Sequence, residues 1–379
     1  MEDIREKHRD FRRCFGCRWA VHGGGQMPDR PINLQTIAKM AHVSKVTVSN
    51  VINGKHDKAS KETIRRIQEI IKATGYRPSA TARSLSMRQS RIIGVIIPYL
   101  YADESFSGRP YNAHMLGYLE RYIRNQGYYM MPRCVAESVD ALADLATWNI
   151  DGAFVLSLVA EDALRLQEKL NIPAVFLDTY TKDAPLATVC IDDYKGGYLA
   201  ARYLWEKGHR KIAFVSPVLT EHSGVMRERY RGFVDALRDR GADLAPECHI
   251  ETESVLYDQG VEAGREIAAS GVGFTAAAAM ADVLAFGVMD GLRRGGKRVP
   301  EDVSVIGFDD LPECQYAHPQ LTSISQHLEE KARTAGEYLF SMLRGDSADS
   351  GGRRVDVALV ERQSVRALDG DGEERREMR

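Results

Sequence analysis

The chain has 379 residues, of which 44% are hydrophobic and 8% aromatic, and this composition predicts a soluble globular protein of two to three domains. No run approaches the roughly 18 apolar residues of a membrane helix, and the N-terminus lacks the apolar core of a signal peptide, so we expect a cytoplasmic protein. The net charge of −2 is unevenly distributed: residues 1–90 hold 18 Lys and Arg against 8 Asp and Glu, a net +10, and the rest holds 33 against 45, a net −12. A basic N-terminal part on an acidic body indicates a protein that presents one end to a polyanion.

The cysteines do not form a complete metal-binding pattern. Cys14 and Cys17 have the spacing of one zinc-ligand pair, but a second pair is missing from the sequence. The other four cysteines are isolated along the chain, and a cytoplasmic protein rarely uses disulfides. We therefore predict no metal site and no cofactor.

Three helices are predicted next. In residues 34–41, apolar residues recur at i, i+3, i+4 and i+7, the spacing of one helix face. Ser44 is a good N-cap for a second helix, which an Asn-Gly pair ends after residue 52. A third helix begins after Ser60 and ends at Gly75. Two short helices joined by a tight turn and braced by a third form a helix-turn-helix.

The second helix leaves groove-reading side chains on its exposed N-terminal half. If Val43, Val48, Val51 and Ile52 face inward, the outward residues are Lys45, Val46, Thr47, Ser49 and Asn50. Asn can pair bidentately with adenine, Lys can donate to guanine, Val can contact a thymine methyl group, and hydroxyls suit phosphates. The alternative is the solvated face of a small helical domain.

From residue 91 onward, strands alternate with helices. Residues 92–97 are a continuous apolar run, typical of a buried parallel strand. Further strands are predicted at residues 128–131, 151–156, 174–177, 211–215, 276–280 and 304–308, with a helix around residues 116–123. This alternation predicts an α/β architecture with parallel sheets, and its length of about 250 residues favours two lobes.

Polar residues follow several of these strands. Asp178, Asp282 and Asp309 lie at or just beyond strand ends, where ligands of parallel sheets bind. Carboxylates at such a position can accept hydrogen bonds from a bound ligand. Asp309, with Asp310, could instead simply cap its loop.

One set of residues in this region matches the pattern of a known family: Ile37-Ala38, Val43-Ser44, Thr47-Val48-Ser49, Val51-Ile52-Asn53, Gly75-Tyr76, Pro78, Ala82-Arg83, Ser84-Leu85 and Ile93-Gly94-Val95. Through these residues, the segment 33–97 resembles the DNA-binding headpiece of the LacI/GalR (lactose-repressor) family of bacterial transcription regulators. The resemblance implies a helix-turn-helix domain at residues 33–77. It also implies a hinge helix at residues 78–90 that folds when two subunits meet on an operator, with Leu85 wedged into the minor groove.

The residues that the resemblance and the exposed helix face assign to DNA are Thr36, Ser44, Lys45, Val46, Thr47, Ser49, Asn50, Asn53, Tyr76, Ala82, Arg83 and Leu85. Two positions depart from the family pattern. His42 stands where the family often has Gly in the turn, and Ser79 replaces the usual Asn. Because His tolerates a positive φ better than most residues, we expect the turn to form.

The rest of the chain resembles the family's core, which is similar to periplasmic sugar-binding proteins: two doubly wound parallel-sheet lobes, three crossings and a ligand cleft between the lobes. We place this effector-binding core at residues 91–368, with lobe 1 at about 91–190 and 322–350 and lobe 2 at about 191–319 and 351–368. The crossings are predicted near residues 188–191, 319–324 and 351–355.

The effector-binding residues implied are Tyr99, Phe106, Asp178, Arg229, Asp282, Phe308, Asp309 and Gln326. Among them, Arg229 matches the family's effector-anchoring arginine, three residues before a Gly-aromatic pair. Ala281 departs from the pattern, because many sugar-responsive members have Asn there.

The two ends of the chain lie outside the resemblance. Residues 1–32 match nothing in the family, and we expect a disordered extension in which residues 1–26 are disordered or an overextended start. The tail at residues 369–379 is short and charged, without the leucine heptads of a tetramerising coiled coil. We therefore expect a disordered tail and a homodimer.

The resemblance implies a DNA-binding transcriptional regulator, a repressor, that binds a pseudo-palindromic operator as a dimer and is controlled by a sugar or sugar derivative in the cleft. We expect no membrane association. One alternative is a regulator with a purine-type corepressor. A solute-binding protein without a transcriptional role would carry a secretion signal and no basic headpiece. An enzyme is not predicted, because G-x-S-x-G, G-x-x-x-x-G-K-[ST] and H-E-x-x-H are all missing from the sequence.

Overall fold

The computed structural model describes residues 32–52, 54–76, 89–98, 109–135, 149–181, 186–220, 224–346 and 351–368. The chain divides into two compact units after residue 83. Several predictions lie outside the described residues: the disorder at residues 1–31 and 369–379, most of the hinge, and the site residues Asn53, Ala82, Arg83, Leu85, Tyr99 and Phe106.

The first unit consists of three helices. They are α1 (Leu34–Met40), α2 (Lys45–Ile52) and α3 (Lys61–Thr74), with a short 3-10 turn at His56–Lys58. Each helix begins at a side chain that accepts a backbone N–H bond: Asn33 from Thr36 at 3.0 Å, Ser44 from Thr47 at 3.1 Å and Ser60 from Thr63 at 3.2 Å. These caps satisfy amide groups that have no partner inside the helix, so the three starts are fixed by local chemistry.

A small apolar core holds the three helices together. Ile37 on α1, Val48 on α2 and Ile67 on α3 are all fully buried, and Ala38, Ala41 and Val51 complete the cluster. Burying a side chain the size of Ile67 contributes about 1.5–3 kcal/mol. The turn between α1 and α2 forms with His42 at a φ of 52°, as expected from its residue type. The predicted helix-turn-helix is confirmed.

The second unit contains two six-stranded sheets. Its first lobe has the strand order β11-β5-β4-β3-β1-β2, with every neighbouring pair parallel. The elements are β1 (Ile92–Pro98), α4 (Pro110–Asn125), β2 (Tyr129–Val135), β3 (Gly152–Leu156), α5 (Ala160–Lys169), β4 (Ala174–Leu177), β5 (Thr188–Ile191), α10 (Leu328–Arg344) and β11 (Arg353–Val355). The central strands are buried on both faces, which explains their uninterrupted apolar sequences.

The second lobe has the strand order β12-β10-β9-β8-β6-β7, parallel except for β12 against β10. Its elements are α6 (Asp193–Glu206), β6 (Ile212–Pro217), α7 (Gly224–Arg238), β7 (His249–Thr252), α8 (Tyr257–Ala269), β8 (Ala276–Ala279), α9 (Asp282–Arg294), β9 (Ser304–Asp309), β10 (Thr322–Ser325) and β12 (Ala358–Val360). Short 3-10 turns lie at Pro246–Cys248 and Pro312–Gln315. The α/β prediction with two parallel-sheet lobes is confirmed.

Glycines bring two pairs of helices in the second lobe into backbone contact. On α8 and α9, a Cβ added at any of four glycines would collide with a carbonyl oxygen of the other helix: Gly260, Gly264, Gly287 and Gly291. On α6 and α7, Gly197 would collide with Arg229 and Gly232 with Tyr194, again at backbone oxygens. These six positions exclude every side chain, because the helix backbones leave no space between them.

The crossings between lobes differ from the predicted boundaries. Thr322–Ser325, predicted to belong to lobe 1, pairs with β9 in the second sheet, and Arg353–Val355, predicted to belong to lobe 2, pairs with β5 in the first sheet. Thr188–Ile191, predicted as the first crossing, is a strand of the first sheet. The chain therefore crosses near residues 192, 326–327 and 356–357, a few residues later than predicted, because strand pairing rather than local sequence decides which sheet a strand joins.

No helix in the described parts of the chain is both long and apolar enough to span a bilayer.

Candidate functional site

The first candidate site is the outward face of α2. Lys45 and Val46 are exposed, Val46 with 67% of its surface accessible, while Thr47, Ser49 and Asn50 are half-buried. Val48 and Val51 point into the core, and Val43 and Ile52 pack against it. The face therefore presents a cation and a branched methyl surface in the first turn of α2 and a carboxamide in its second turn, and these side-chain types are able to contact base edges in a major groove.

Other residues predicted to bind DNA have structural bonds in this unit. The Thr36 hydroxyl donates to the Asn33 side chain at 3.2 Å, and the hydroxyls of Ser44 and Thr47 lie 2.9 Å apart. Tyr76 is half-buried and packs against the core of the unit. The structure thus separates cap-forming residues from the exposed Lys45 and Val46.

The second candidate site is a cavity of about 350 Å³ between the two lobes of the second unit. The first lobe contributes the start of α4 and the loops after β3 and β4, and the second lobe contributes loops after β6, β7, β8 and β9. Four of the predicted effector residues line this cavity: Asp178, Arg229, Asp309 and Gln326. Its volume falls in the range of sites for small organic ligands.

Arg229 is fixed in the cavity wall by buried partners. Its Nε donates to Asp193 Oδ1 at 2.7 Å and its Nη1 donates to the Met280 carbonyl at 2.6 Å. Burial lowers the pKa of Arg229, but Asp193 and then Asp309 raise it by more, so the guanidinium stays charged. Burial raises the pKa of Asp193 above its ordinary value, against the opposing effect of Arg229. The Tyr180 hydroxyl also contacts Asp193 and so joins the lobes at this point.

A second buried network holds Asp178, Gln326 and Asp309. The Lys331 ammonium contacts Asp178 Oδ1, the Tyr111 hydroxyl oxygen at 2.9 Å and Gln326 Oε1 at 3.0 Å. Gln326 in turn donates to Asp309 Oδ1 at 2.5 Å. The network runs from the first lobe through a crossing segment to the second lobe, so it orients polar groups from both sides of the cavity.

The titration of this network follows from its burial. Burial and then the charge of Asp178 raise the pKa of the Tyr111 hydroxyl well above its ordinary value, so it stays protonated and donates to Asp178 Oδ2. Burial and then the nearby Asp282 carboxyl raise the pKa of Asp309 above its ordinary value.

Three residues of the cavity wall have a left-handed backbone. Ser157, Asp178 and Asp309 follow or end strands β3, β4 and β9 and have φ values of 53°, 58° and 126°. Residues other than glycine rarely adopt such values, and strained backbone of this kind concentrates at ligand sites. The conformation turns the chain sharply at the strand end.

Two predicted effector residues lie outside the cavity wall. Asp282 has no exposed surface, and its carboxylate accepts from the Leu311 amide at 2.8 Å and the Ser323 hydroxyl at 2.6 Å. Phe308 is fully buried beneath Arg229, whose guanidinium carbon lies 3.6 Å from the ring centroid. Both predictions are corrected: Asp282 joins the loop after β9 to strand β10 behind the site, and Phe308 supports Arg229.

Sequence reasoning missed several residues of the site. Asp193 lies just beyond β5, so the strand-end rule that selected Asp178 could have found it. Lys331 lies in the first turn of α10, with no local signal that distinguishes it from an exposed helical lysine. Tyr111 and Tyr180 likewise have no such signal, whereas Ser157 directly follows β3, so the strand-end rule could have found it. Apolar wall residues were also missed: Leu158, Val159, Pro217, Val225, Met226, Val255, Leu256 and Val283.

One further contact joins the lobes. His114 Nε2 on α4 lies 3.0 Å from both carboxylate oxygens of Glu313, which belongs to the 3-10 turn after β9. Within the described ranges, no three His, Cys, Asp or Glu side chains are grouped to hold a metal ion.

Comparison with known proteins gives the same two parts. Residues 33–79 match the bacterial regulatory proteins of the lacI family, and residues 201–365 match the periplasmic binding protein-like domain. The chain is 30% identical over 341 residues to the HTH-type transcriptional repressor PurR of Mannheimia succiniciproducens, covering 88% of this chain and 99% of that protein. It is also 30% identical over 340 residues to the repressor CytR of Escherichia coli, covering 88% and 96%.

Solved structures share the fold. The Lac repressor dimer bound to operator and an anti-inducer has a TM-score of 0.77 at 24% identity, covering 89% of this chain and all of that chain. The transcriptional regulator CelR in complex with cellobiose has a TM-score of 0.65 at 27% identity, covering 88% and 100%. A LacI-family regulator of Enterococcus faecium with bound ribose has a TM-score of 0.64 at 27% identity, covering 73% and 100%.

Proposed function

Because the chain belongs to the lacI family of bacterial regulatory proteins, we propose that it represses transcription by binding a pseudo-palindromic operator as a homodimer and that a small molecule between its lobes controls this binding. Its relatives over 88% of the chain are transcriptional repressors and not enzymes. The observation that carries the proposal is the combination, in one chain, of the exposed Lys45-Val46 face and the inter-lobe cavity.

On DNA, we propose that α2 enters the major groove. Lys45, Val46 and Asn50 would contact base edges, and the hydroxyl residues of the unit would contact phosphates. We further propose that residues 78–90 act as the hinge and that Leu85 enters the minor groove. Two such headpieces on a two-fold axis would read two half-sites, with an affinity that falls steeply as salt rises.

A sugar or sugar derivative is the effector class that the cavity favours. Arg229, Asp178 and Gln326 offer charged and amide groups to hydroxyls, and two relatives with 27% identity were solved with cellobiose and ribose. A purine-type corepressor is the second candidate, favoured by a wall that is largely aliphatic. That wall includes Val225, Met226, Val255, Leu256 and Val283.

The switch is proposed to be a two-state change in the lobes. An effector can shift this equilibrium only by binding one arrangement more tightly than the other. The cavity is lined by residues of both lobes, and the His114–Glu313 contact also bridges them. An effector that favours another arrangement would therefore have to offset the loss of such contacts.

Replacing Asn50 by Ala tests the DNA proposal directly. A lost bidentate contact to a base costs about 1–3 kcal/mol, so operator affinity should fall by roughly 5- to 150-fold. Nonspecific binding should change little. Binding would be measured by fluorescence anisotropy on a site selected from random DNA, which should itself be an inverted repeat.

The matched control is Lys39→Ala, which removes a cation from α1 and leaves the α2 face intact. The Lys39→Ala variant should lose a similar factor of binding affinity for operator DNA and for random DNA. An Asn50→Ala protein that binds its selected operator as tightly as the parent would contradict the assignment of α2.

Replacing Tyr316 by Asp tests whether the groove around Tyr316 is the dimer interface. Tyr316 is 74% exposed and Tyr257 41% exposed, and both line an open groove on the second lobe with Phe286 and Met289. Exposed aromatic residues around such a groove are typical of association surfaces. We expect the variant to shift from dimer to monomer in sedimentation experiments, whereas Tyr129→Asp, at an exposed residue of the first lobe, should not. An unchanged dimer would show that this groove is not the interface.

A further inference from the structure

We propose that the cavity selects an uncharged, hydroxyl-bearing effector, a free sugar or a nucleoside, over the phosphate ester of the same compound, and that buried Lys331 sets this selectivity. The inference rests on the proposed effector function of the cavity. It concerns which ligand charge the cavity accepts, and this depends on the ion pairs already present in the site.

Lys331 is a buried cation that is already satisfied. Its side chain has no exposed surface, and its three N–H donors meet three acceptors on Asp178, Tyr111 and Gln326. An ammonium group has only three donors, so Lys331 has none left for a ligand. Its charge is matched by Asp178, whose side chain is 9% exposed and lies in the cavity wall.

Arg229 is matched in the same way. Its side chain is 5% exposed and pairs with Asp193, whose side chain has no exposed surface. The Phe308 ring covers one face of the guanidinium. The Arg229 guanidinium therefore already has a counterion before any ligand binds.

The remaining charges do not create an excess of positive charge. Arg109 is a further basic residue of the wall, and Glu253 and Asp309 are further acidic ones. With the two buried pairs, this makes three basic groups against four carboxyl groups; burial and Asp282 raise the pKa of Asp309 to about 8, so the ionised groups near neutral pH are about balanced. A phosphate ester brings a charge of about −1.5 to −2. Because a buried charge requires a partner, this wall disfavours such a ligand.

Lys331 also decides what the ligand must offer. It directs the Gln326 oxygen to itself, so that the Gln326 amide nitrogen points to Asp309. It pairs with the Asp178 carboxylate, whose oxygens can only accept, so the ligand must donate a hydrogen bond there. A hydroxyl group can donate to Asp178 and accept from an amide or a guanidinium at the same time.

The first experiment compares each neutral probe with its own phosphate. Thermal unfolding of the full chain would be followed with ribose and ribose 5-phosphate, glucose and glucose 6-phosphate, and adenosine and adenosine 5′-monophosphate. We expect a saturable rise in Tm with at least one neutral probe and an affinity at least about tenfold weaker for its phosphate ester. The sugar and nucleoside arms distinguish the two sources of the hydroxyl groups.

Each other outcome overturns the inference. A phosphate ester that binds as tightly as its neutral partner would sink it while the effector function stands. If no probe raises Tm, the inference and the effector part of the proposed function both fail, and operator binding by the same preparation still tests the regulator.

The second experiment tests Lys331 as a positioning residue. Lys331→Met leaves Asp178 without its cation. The ligand preference of the cavity should therefore shift toward a compound that carries an amine in place of one hydroxyl group. The probes are glucose against glucosamine and adenosine against 3′-amino-3′-deoxyadenosine. We expect the ratio of amine to neutral affinity to rise at least about tenfold, since nearby unit charges interact strongly away from water.

Lys331→Arg keeps the charge, so a folded Lys331→Arg protein should still prefer the hydroxyl probe over the amine probe. This variant also provides a test if Lys331→Met does not fold. Lys297→Met, at an exposed lysine, is the matched surface control. A merely structural lysine would weaken both probes equally. An unchanged affinity ratio in Lys331→Met, or an Arg variant that folds and prefers the amine, would overturn the role of Lys331.

Discussion

Removing residues 1–88 should abolish specific operator binding and leave a folded core that still binds its effector. The two units have separate cores, so the second does not need the apolar residues of the first. The removed part also carries most of the basic excess, since residues 1–90 have a net charge of +10. Without it, we expect operator affinity to fall by at least about a thousandfold, to the level of nonspecific binding or below.

The position of the cut follows from the first residues of the core. Asp151 accepts from the backbone amides of Ser90 and Arg91, both at 2.8 Å, and these bonds fix the entry to β1. A chain that begins at residue 89 keeps both bonds. Gel shift would measure operator binding, and circular dichroism and thermal unfolding would measure folding and ligand binding. Specific operator binding by the truncated core would refute the role of the headpiece.

Replacing Arg229 by Ala should both destabilise the core and remove its response to effector. The substitution leaves Asp193 buried without its cation, and breaking a buried ion pair from one side costs about 3–5 kcal/mol. It also removes a cavity-lining donor and the group that covers the Phe308 ring. Denaturant unfolding would give the free energy of unfolding, and operator release upon ligand addition would give the response.

A second arginine of the same helix supplies the control. Arg238 lies at the end of α7, is 60% exposed and pairs with Asp243 at the surface, so Arg238→Ala should leave both readouts nearly unchanged. Arg229→Lys keeps a positive charge but loses the planar guanidinium group. We expect a free energy of unfolding between those of the parent and Arg229→Ala, with a weakened response to effector. An Arg229→Ala protein as stable as the parent would show that Asp193 finds another partner.

The parts of the fold that local chemistry determines could be predicted from sequence. The helices of the first unit begin at Asn33, Ser44 and Ser60 because each side chain caps amides three residues later, and this is visible in the sequence. Buried parallel strands are similarly visible as apolar runs. The crossings could not be placed to the residue, because β10 and β11 are short and their sheet depends on partners far along the chain.

The cavity could be predicted only where a strand end marks it. Asp178 and Asp309 follow from that rule, but the same rule selected Asp282, which instead joins the loop at Leu311 to strand β10 at Ser323. Sequence does not show which strand-end carboxylate faces the cavity. Lys331 could not be found at all, because its partners come from residues 111, 178 and 326, which only the folded chain brings together.

The glycine contacts of the second lobe affect how a mutational map of this protein should be interpreted. In a saturation screen for loss of repression, nearly every amino-acid change at Gly197, Gly232 and the four glycines of α8 and α9 should abolish repression. The four glycines of α8 and α9 line neither the inter-lobe cavity nor the α2 face, so their sensitivity could be mistaken for a third binding surface. Scoring cellular abundance beside repression would separate them, because these variants would be degraded, whereas variants of the α2 face would accumulate as inactive protein.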